Sequence, residues 1–493
     1  LPLFLGACGD DDNTPNGPDE NDNINPFVIP LGYLGKQLQV IIRLRTACRR
    51  TGVCLVQCTP VDFLLCIGTS IFPDSHSELI AFVPTPALLL ESYRFLRLEY
   101  TITYIRFRVL LFLTAKNNVM KNILLFLFLP LFLGACGDDD NTPNGPDEND
   151  NINWYAAADS STTALVNSFW NAGGKYFNYD SNGNTTFHYW PQAHALDVLT
   201  DAYLRTEDAK YKTYFDQWFE GVKIKNGNSF RNDYYDDMEW NALAILRAYQ
   251  ATKEQKYKEA ALQIWDYIKV GWNENAGGGI TWVKGQEYSK NACSNGPACI
   301  LAARLYREFG DETYKEWALK IYNWEKSTLF NSNNGMVYDN INSNTGEIQK
   351  DWIFTYNEGT FVGSAVELYK ILGEKAYLND AVLAADYTIS TLVNNSILKD
   401  EGTGDGGLFK GIFIRYFTDL IQQDRLDAGA KRRYVQFLKT NAETLWTQGT
   451  NKSNVLFGTY WRNAPGASTG LTEQLSGCML IEAVALLDDL DLL

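Results

Sequence analysis

Two adjacent carboxylates stand where an acidic, aromatic loop runs into a predicted helix. Asp236 and Asp237 precede the Ala- and Leu-rich stretch 242–249. Retaining hydrolysis of a sugar needs two carboxyl groups roughly 5 to 5.5 Å apart, one as nucleophile and one as acid, and neighbouring side chains at a helix start can be held about that far apart. The same residues can also cap the helix, because an Asp at the N-cap accepts backbone N–H bonds and a second Asp meets the positive end of the helix dipole.

Aromatic residues accompany the pair and favour the chemical interpretation. Tyr234, Tyr235 and Trp240 flank the two aspartates. Aromatic rings stack against the apolar faces of sugars, whereas caps alone lean to Ser and Thr and need fewer rings. The chain is 14% aromatic with 13 Trp, which fits either a carbohydrate cleft or a large aromatic core.

Net charge and the supply of metal ligands exclude several classes of partner. A formal charge of -16 makes nucleic acid an unsuitable partner, because nucleic acids select basic patches. The chain has three histidines, which are His76, His188 and His194, and no Cys/His spacing matches a zinc site. No metal or cofactor is therefore expected. His188 and His194 could line a cleft, although a structural role is the more frequent one for a histidine. The three cysteines of the C-terminal region are expected to be buried free thiols.

The first third of the chain is set apart by a duplication and by its composition. Residues 1–25 recur unchanged as residues 129–153. Residues 26–119 carry eight Arg, two Lys and five acids, whereas the region from Trp154 onward has 22 Lys and 10 Arg. We therefore interpret residues 1–119 as a duplicated or artefactual segment outside the main domain.

A second beginning follows at Met120. A short basic start, the apolar run 123–132 and Gly134-Ala135-Cys136 have the layout of a secretory signal, and the last three residues resemble the lipobox of bacterial lipoproteins. Residues 120–136 are thus expected to be a signal peptide with Cys136 as the lipidated residue, and 137–153 a flexible acidic linker. The acidic tract behind Cys136 resembles the export tag of cell-surface lipoproteins of Gram-negative bacteria, so a lipid anchor in the outer membrane is expected.

From Trp154 to Leu493 apolar residues recur at three- and four-residue steps, which predicts helices almost throughout. Twelve helices are expected near residues 160–171, 191–206, 208–222, 236–252, 254–270, 291–309, 311–328, 359–373, 375–394, 407–423, 428–447 and 471–490. Short hairpins are possible in the loops 277–283 and 335–349.

A tyrosine repeat organises these helices into pairs. Two tyrosines eight residues apart bracket each of four predicted helix-to-helix turns, and successive turns lie 46, 57 and 63 residues apart. The pairs are Tyr203 and Tyr211, Tyr249 and Tyr257, Tyr306 and Tyr314, and Tyr369 and Tyr377. Helices before the turns are rich in Ala, Gly and aromatics, and those after them alternate Lys and Glu, as inner and outer helices should. Six such hairpins predict an all-α (α/α)6 barrel over residues 154–493, with an open superhelix as the alternative.

In such a barrel the loops that enter the inner helices converge on one mouth. Five of the six combine hydrogen-bonding groups with aromatic residues or glycine, which is the composition of a glycan cleft. The loops are 187–192, 234–237, 288–295, 356–361, 404–407 and 470–474.

The motifs of this region resemble those of glycoside hydrolase family 76, the endo-α-1,6-mannanases. The resemblance rests on Tyr-Asp-Asp-Met-Glu-Trp at 235–240, Tyr-Asn-Glu-Gly at 356–359 and the tyrosine hairpins. It implies an (α/α)6 toroid that cleaves α-1,6-mannan with retention of configuration, with Asp236 as nucleophile and Asp237 as acid/base. Glu358 stands where the family motif has Gln, which puts the detail of that subsite in doubt.

Further substrate contacts are predicted from the mouth loops. The candidates are Trp190, Gln192, Tyr235, Tyr288, Asn291, Asn295, Tyr356, Asn357, Glu358, Trp461 and Gln474. Trp190, Trp240, Trp282, Trp352 and Trp461 are the candidates for stacking on mannose, and about half of them are expected to do so.

The sequence thus predicts a monomeric, surface-anchored endo-α-1,6-mannanase that binds α-mannan. Two alternatives stay open at this point. A transglycosidase could use the same site, because a glycosyl-enzyme can be captured by a sugar as well as by water. A non-catalytic glycan-binding lipoprotein could also be helical, aromatic and tethered.

Overall fold

The computed structural model describes residues 152–493 in full and, before them, the backbone of four short strands. These strands form two antiparallel pairs, β1 (Phe27–Tyr33) with β2 (Lys36–Ile42) and β3 (Thr46–Cys48) with β4 (Cys54–Val56). The predictions for residues 1–119, for the signal with Cys136 and for the linker otherwise fall almost entirely outside the described residues and stay predictions. Within residues 152–493, every helix is too short or too polar to pass through a lipid bilayer.

Residues 152–493 contain twelve α-helices, which alternate between an inner and an outer position. The inner helices are α2 (Tyr189–Thr206), α4 (Tyr235–Thr252), α6 (Ala292–Phe309), α8 (Thr355–Leu372), α10 (Gly406–Ile421) and α12 (Leu471–Asp489). The outer helices are α1 (Trp154–Phe169), α3 (Lys210–Lys225), α5 (Gln255–Ile268), α7 (Glu312–Thr328), α9 (Lys375–Thr391) and α11 (Ala428–Thr447). All twelve predicted helices are confirmed.

The burial pattern separates the two sets. In α6 every residue from Ala292 to Ala303 is buried, whereas α5 buries one stripe at residues 257, 260, 261, 264, 265 and 268. A helix buried on all sides must lie inside the domain, and one with a single apolar stripe must lie at its surface. Each inner helix contacts the next, and α12 returns to contact α2 while also packing against α1. The ring is therefore closed, so the (α/α)6 barrel is confirmed and the open superhelix is excluded.

Glycines allow the inner helices to approach each other closely. A Cβ on Gly359 of α8 would lie 2.6 Å from the Cα of Phe413 in α10. A Cβ on Gly411 of α10 would lie 2.8 Å from the Cα of Ser476 in α12. Because both neighbours are backbone atoms of buried helices, a side chain at either glycine would force the ring apart.

The tyrosine repeat marks four turns of identical geometry. The first tyrosine of each pair accepts, through its carbonyl, the N–H of a left-handed residue that ends the inner helix. These C-terminal residues are Glu207, Lys253, Gly310 and Gly373. The N–H of the second tyrosine bonds the carbonyl of an acidic residue three positions earlier, which starts the outer helix. The repeat therefore encodes the inner-to-outer connection at the end of the barrel opposite the mouth.

A buried network of ion pairs joins the inner helices at that end. Arg247 of α4 and Arg415 of α10 both contact Asp201 of α2. Although burial opposes ionisation, the charges of Arg247 and Arg415 lower the pKa of Asp201 to about 2. The carboxylate is therefore charged at every working pH.

Short strands occupy the loops at the mouth. They are β5 (Trp170–Asn171), β6 (Tyr176–Phe177), β7 (Ser289–Asn291), β8 (Asn340–Asn342), β9 (Glu347–Gln349), β10 (Val393–Asn394), β11 (Ile397–Leu398), β12 (Thr450–Asn451) and β13 (Leu456–Phe457). The hairpin predicted in 335–349 is confirmed by β8 and β9, which join β7 in one three-stranded sheet. Only isolated bridges reach 277–283, so the hairpin suggested there is wrong.

The first turns of the inner helices fix the loops that precede them. Gln192 of α2 accepts a hydrogen bond from the backbone N–H of Phe177 (2.8 Å) and donates one to its carbonyl (2.9 Å). Asn295 of α6 does the same with the N–H and carbonyl of Ile280. A side-chain amide suits this task because it carries both a donor and an acceptor.

Glu358 of α8 occupies the equivalent position with a carboxyl group. Its Oε1 accepts the N–H of Val337 at 3.0 Å, and its Oε2 is buried without a partner among the described residues. Burial raises the pKa of Glu358 well above its ordinary value. The carboxyl group of Glu358 therefore takes up a proton. It stands where α2, α6 and α12 have a side-chain amide.

Replacing Glu358 with Gln is expected to stabilise the protein, by more at pH 8 than at pH 5. Because the native state holds a proton that the unfolded chain releases above about pH 4.3, stability falls as the pH rises toward the native pKa, by up to about 1.4 kcal/mol per pH unit. Thermal unfolding of wild type and Glu358→Gln across this range measures the difference. Gln192→Glu is the matched control and should introduce the same pH-dependent loss. A difference that does not vary with pH would contradict the protonated state of Glu358.

Candidate active site

The mouth of the barrel opens into a cleft of about 740 Å³. Five of the six inner helices contribute to it through their first turns or the loops before them. Its lining residues are His188, Trp190, Tyr234, Asp236, Asp237, Trp240, Trp282, Ser289, Asn291, Cys293, Asp339, Asn340, Trp352, Phe354, Tyr356, Asp405 and Phe409.

Asp236 and Asp237 lie in the first turn of α4, at the wall of this cleft. The N-cap residue is Tyr234, whose extended backbone pairs with Val283 in an isolated bridge. The N–H of Tyr235 donates to the carbonyl of Trp282 at 2.9 Å. The loop before α6 therefore holds the start of α4, and neither aspartate is the N-cap.

Asp236 receives hydrogen bonds that favour its charged form. The indole Nε1 of Trp282 donates to Oδ2 at 3.1 Å, and the thiol of Cys293 contacts the same oxygen at 3.5 Å. The backbone N–H of Asp237 donates to Oδ1 at 3.0 Å. Burial raises the pKa of Asp236, to about 7, while these donors oppose the rise.

Asp237 has no such set of donors to its carboxyl group among the described residues. Burial raises its pKa well above the ordinary value, and the nearby charges of Asp236 and Asp405 raise it further. Among the described residues that line the cleft there is no Lys or Arg to offset these charges. The donors around Asp236 and the negative charges near Asp237 therefore favour a singly protonated pair with the proton on Asp237 and the charge on Asp236.

Polar side-chain contacts connect Trp190, Asp405 and His188 beside the two aspartates; we call them the bridge. Asp405, just before α10, accepts a hydrogen bond from the indole Nε1 of Trp190 at 2.9 Å, and its Oδ1 lies 3.5 Å from Nε2 of His188. Burial lowers the pKa of His188 more than Asp405 raises it, so the imidazole is biased toward its neutral form. The bridge ties the loops before α2 and α10 together beside the acid.

The structure brings part of the predicted site together at this cleft. Besides the two aspartates, Trp190, Asn291 and Tyr356 line it. Of the five tryptophans predicted for stacking, Trp190, Trp240, Trp282 and Trp352 line the cleft. Trp461 is fully buried outside it.

The other predicted contacts lie away from the cleft wall, and their side chains hold the loops. Gln192, Asn295 and Glu358 bind backbone groups of the loops that precede their helices. Gln474 accepts the N–H of Phe457 at 3.0 Å in the same way. We therefore reassign these four from substrate contact to support of the mouth.

Three more predicted contacts are placed beside the cleft without lining it. Asn357 is fully buried and donates to Asp339 at 3.0 Å. Tyr235 is buried with its ring against Gly271, and the hydroxyl of Tyr288 points to Gln286. Asn357 acts on the cleft through Asp339, which does line it.

Several residues that line the cleft were not among the predicted site residues. Asp339 and Asn340 come from the long loop before α8, and Asp405 from the glycine-rich loop before α10. The position of Asp405 at the mouth could be predicted, because its loop leads into an inner helix. That of Asp339 could not, because fifteen residues separate it from the start of α8 at Thr355. The three cysteines of the domain, Cys293, Cys299 and Cys478, are free and buried as predicted.

Known proteins share both the sequence and the fold. The α-1,6-mannanase GH76A of Salegentibacter sp. HEL1_6 is 44% identical, with a TM-score of 0.66 over 68% of this chain and all of that chain. An inactive variant of that enzyme, with two consecutive aspartates changed to asparagine, forms a complex with α-1,6-mannotriose. A mannan endo-1,6-alpha-mannosidase of Candida glabrata is 24% identical over an alignment of 280 residues. The match covers 49% of this chain and 61% of that protein.

The match to a family extends over the whole barrel. The model of glycosyl hydrolase family 76 matches residues 153–491, which takes in all twelve helices and the cleft between their loops. The predicted resemblance is thereby confirmed, and the interpretation as a non-catalytic glycan-binding protein is set aside. The chain belongs to glycosyl hydrolase family 76, the family of the endo-α-1,6-mannanases, and is a glycosidase.

Proposed function

We propose that this protein is a retaining endo-α-1,6-mannanase, with Asp236 as nucleophile and Asp237 as acid/base. The observation that carries the proposal is the unequal environment of two neighbouring carboxyl groups in one cleft. Asp236 has three donors that favour its anion, and Asp237 has neighbouring negative charges that favour its proton. Such a division supplies a nucleophile and an acid at the same pH.

The relatives support both the substrate and the pair. The Salegentibacter enzyme is an α-1,6-mannanase, and its inactive variants carry changes at two consecutive aspartates. Within residues 152–493 the consecutive aspartates are Asp236-Asp237 and Asp488-Asp489. The second pair ends α12 far from the mouth and lines no part of the cleft. This leaves Asp236 and Asp237 as the matching pair.

The first step breaks the glycosidic bond. A carboxylate oxygen of Asp236 attacks C1 of the mannosyl unit and forms an ester with it. Asp237 gives its proton to the glycosidic oxygen, so that the leaving chain departs as a neutral alcohol. Positive charge that develops at C1 is stabilised by the Asp236 carboxylate, and no cationic side chain lines the described cleft to oppose it.

The second step returns the enzyme to its starting state. Asp237, now a carboxylate, accepts a proton from a water molecule, and the water oxygen attacks C1. The bond to Asp236 breaks and leaves it anionic, with Asp237 protonated again. Two inversions at C1 give net retention of configuration.

Trp190, Trp240, Trp282 and Trp352 line the cleft, and the partly exposed Trp282 and the exposed Trp352 supply the surfaces for sugar binding. Trp352 is 54% exposed. An exposed ring loses the most contact with water when the apolar face of a sugar stacks on it, so its contribution to binding is expected to be the largest. The indole of Trp282 has a second task, because its Nε1 is committed to Asp236. Substrate binding and the charge of the nucleophile are therefore linked through one side chain.

We also propose that the enzyme is a monomer held at the cell surface by a lipid on Cys136. The order of a basic start at Met120, an apolar run and Gly-Ala-Cys supports the lipidation, and the acidic stretch behind it supports display on the outer membrane. The intact mass of the mature N-terminus tests the lipid, because an acylated cysteine at position 136 would have to be its first residue.

Incubation with unbranched α-1,6-mannan is expected to release new reducing ends, first formed as the α-anomer. Asp236→Asn and Asp237→Asn should each lower kcat by at least about 10³-fold while still binding α-1,6-mannotriose, because neither change removes the stacking surfaces. NMR of the fresh products gives the anomer, and calorimetry gives the binding.

A β-anomer as first product would contradict retention, and full activity of both variants would contradict the assignment of the pair. Adding a second mannooligosaccharide as acceptor distinguishes hydrolysis from transfer, because a transglycosidase would make longer chains in place of new reducing ends.

Replacing Trp282 with Phe is expected to move the acid limb of the kcat/KM–pH profile upward by about one pH unit. The indole donor favours the Asp236 anion, so its loss raises the pKa at which the nucleophile becomes available. Trp352→Phe is the matched control, because Trp352 lines the same cleft without a hydrogen bond to either aspartate. An unmoved acid limb in Trp282→Phe, or an equal shift in the control, would contradict the role of the donor.

A further inference from the structure

A second cleft of about 540 Å³ opens at the same mouth. It lies between the loops that precede α2, α10 and α12, whereas the catalytic cleft spans α2, α4, α6, α8 and α10. Together the two clefts use the loops of all six inner helices. Asp236 and Asp237 do not line the second cleft, so no residue of the proposed chemistry lies in it.

The two clefts share a wall. His188 lines both, and its contact with Asp405 forms the bridge beside Asp237. The Asp405 side chain is 63% exposed, so the bridge is open to solvent. A chain lying in the catalytic cleft can therefore continue over the bridge into the second cleft.

The lining of the second cleft is polar, uncharged or acidic. Asp180, Asp400, Thr459 and Glu473 line a space that Tyr460 also borders. Among the described lining residues there is no Lys or Arg, so a phosphate or carboxylate would meet no partner charge. The hydroxyl groups of a neutral sugar donate hydrogen bonds, and carboxylates are strong acceptors of such bonds.

One of these groups is built into the helix ring. Glu473, in the first turn of α12, is 4% exposed, and its Oε2 accepts the hydroxyl of Thr472 at 2.9 Å. Gly407 of α10 leaves the space that Glu473 occupies, since a Cβ there would lie 2.9 Å from the carboxyl carbon. The position of this carboxyl group is therefore fixed by packing of α10 against α12.

Aromatic residues of the loop before α2 also line the second cleft. Tyr179 is 38% exposed and stacks on His188 with ring centroids 6.1 Å apart. Tyr179 thus extends the aromatic surface from the shared wall into the second cleft. Exposed tyrosines beside fixed hydrogen-bonding groups are typical of carbohydrate binding.

We propose that the second cleft binds mannosyl units of the same glycan, remote from the bond that is cut. The proposal rests on the proposed mannanase activity and adds a determinant of substrate length or branching to it. The units can come from the continuing α-1,6 backbone or from a side branch near the scissile bond. Contacts to such remote units raise the rate on large substrates, because binding energy from non-reacting parts of a substrate contributes to the transition state.

Ala464→Trp provides the test, because Ala464 is an exposed residue on the rim of the second cleft. A tryptophan there would fill the space without disturbing the core. Ala467→Trp is the matched control, because Ala467 is also exposed in the same loop and lines neither cleft. The substrates are α-1,6-mannotetraose, unbranched α-1,6-mannan and branched mannan, each assayed by new reducing ends.

Ala464→Trp is expected to lower kcat/KM on a polymer about tenfold more than on mannotetraose, with Ala467→Trp close to wild type on all three. A loss on both polymers assigns the cleft to the backbone, and a loss on branched mannan alone assigns it to a branch. Equal values for the two tryptophan variants on every substrate would overturn the proposal, as would an equal loss on mannotetraose and on the polymers.

A binding measurement separates this proposal from the catalytic one. Asp236→Asn/Asp237→Asn protein is titrated with an α-1,6-mannohexaose and with a branched mannan fragment, with and without Ala464→Trp. Weaker binding of either ligand in the presence of Ala464→Trp supports the second cleft even if wild type proves inactive on mannan. Unchanged binding of both ligands contradicts it even if wild type is an active mannanase.

Discussion

The chemistry of this site depends on how one proton is shared between two carboxyl groups that are neighbours in the chain. Asp236 and Asp237 cannot both be charged in a half-buried cleft without cations. Hydrogen bonds from Trp282, Cys293 and a backbone N–H place the charge on Asp236. The opposite end of the barrel shows the contrast, because two arginines there keep Asp201 charged at low pH. Buried arginines thus compensate Asp201 at the closed end, whereas the described residues that line the cleft include no Lys or Arg.

The helical ring makes this distribution of charge possible. The inner helices are buried on all sides and pack as a closed barrel, and Gly359 and Gly411 let the backbones of α8, α10 and α12 meet closely. Closure brings the loops of all six helices to one mouth. Polar side chains such as Gln192 and Asn295 then fix the backbone of those loops. Trp282 reaches Asp236 because its loop is held in this manner.

Much of the architecture could be predicted from the sequence, because its signals are local. Apolar periodicity located all twelve helices, and the tyrosine repeat located four of the turns between them. The boundary at α8 was less accurate. The helix begins at Thr355 instead of near residue 359, so Asn357 and Glu358 lie in its first turn and not in the preceding loop. Their side chains are buried for that reason.

The site could be predicted only in part, because its other groups are assembled by contacts between distant segments. The adjacent aspartates and Trp190 carried a signal in their own loops. Asp339 reaches the cleft from a loop whose path depends on a three-stranded sheet. Gln192 and Gln474 have the composition of a sugar-binding loop, yet the backbone groups of neighbouring strands occupy their hydrogen-bonding atoms. Composition alone does not separate a residue that binds substrate from one that binds the loop.

The most direct test of the division of roles is to trap the glycosyl-enzyme. A fluorinated α-1,6-mannobiosyl fluoride that forms the ester quickly and hydrolyses it slowly would label the nucleophile, and mass spectrometry of the digested protein would locate the sugar. The role of Asp236 as nucleophile predicts one added mannobiosyl unit on the peptide that contains the pair, with fragmentation placing it on Asp236. A label on Asp237, or on a residue outside the cleft, would contradict it.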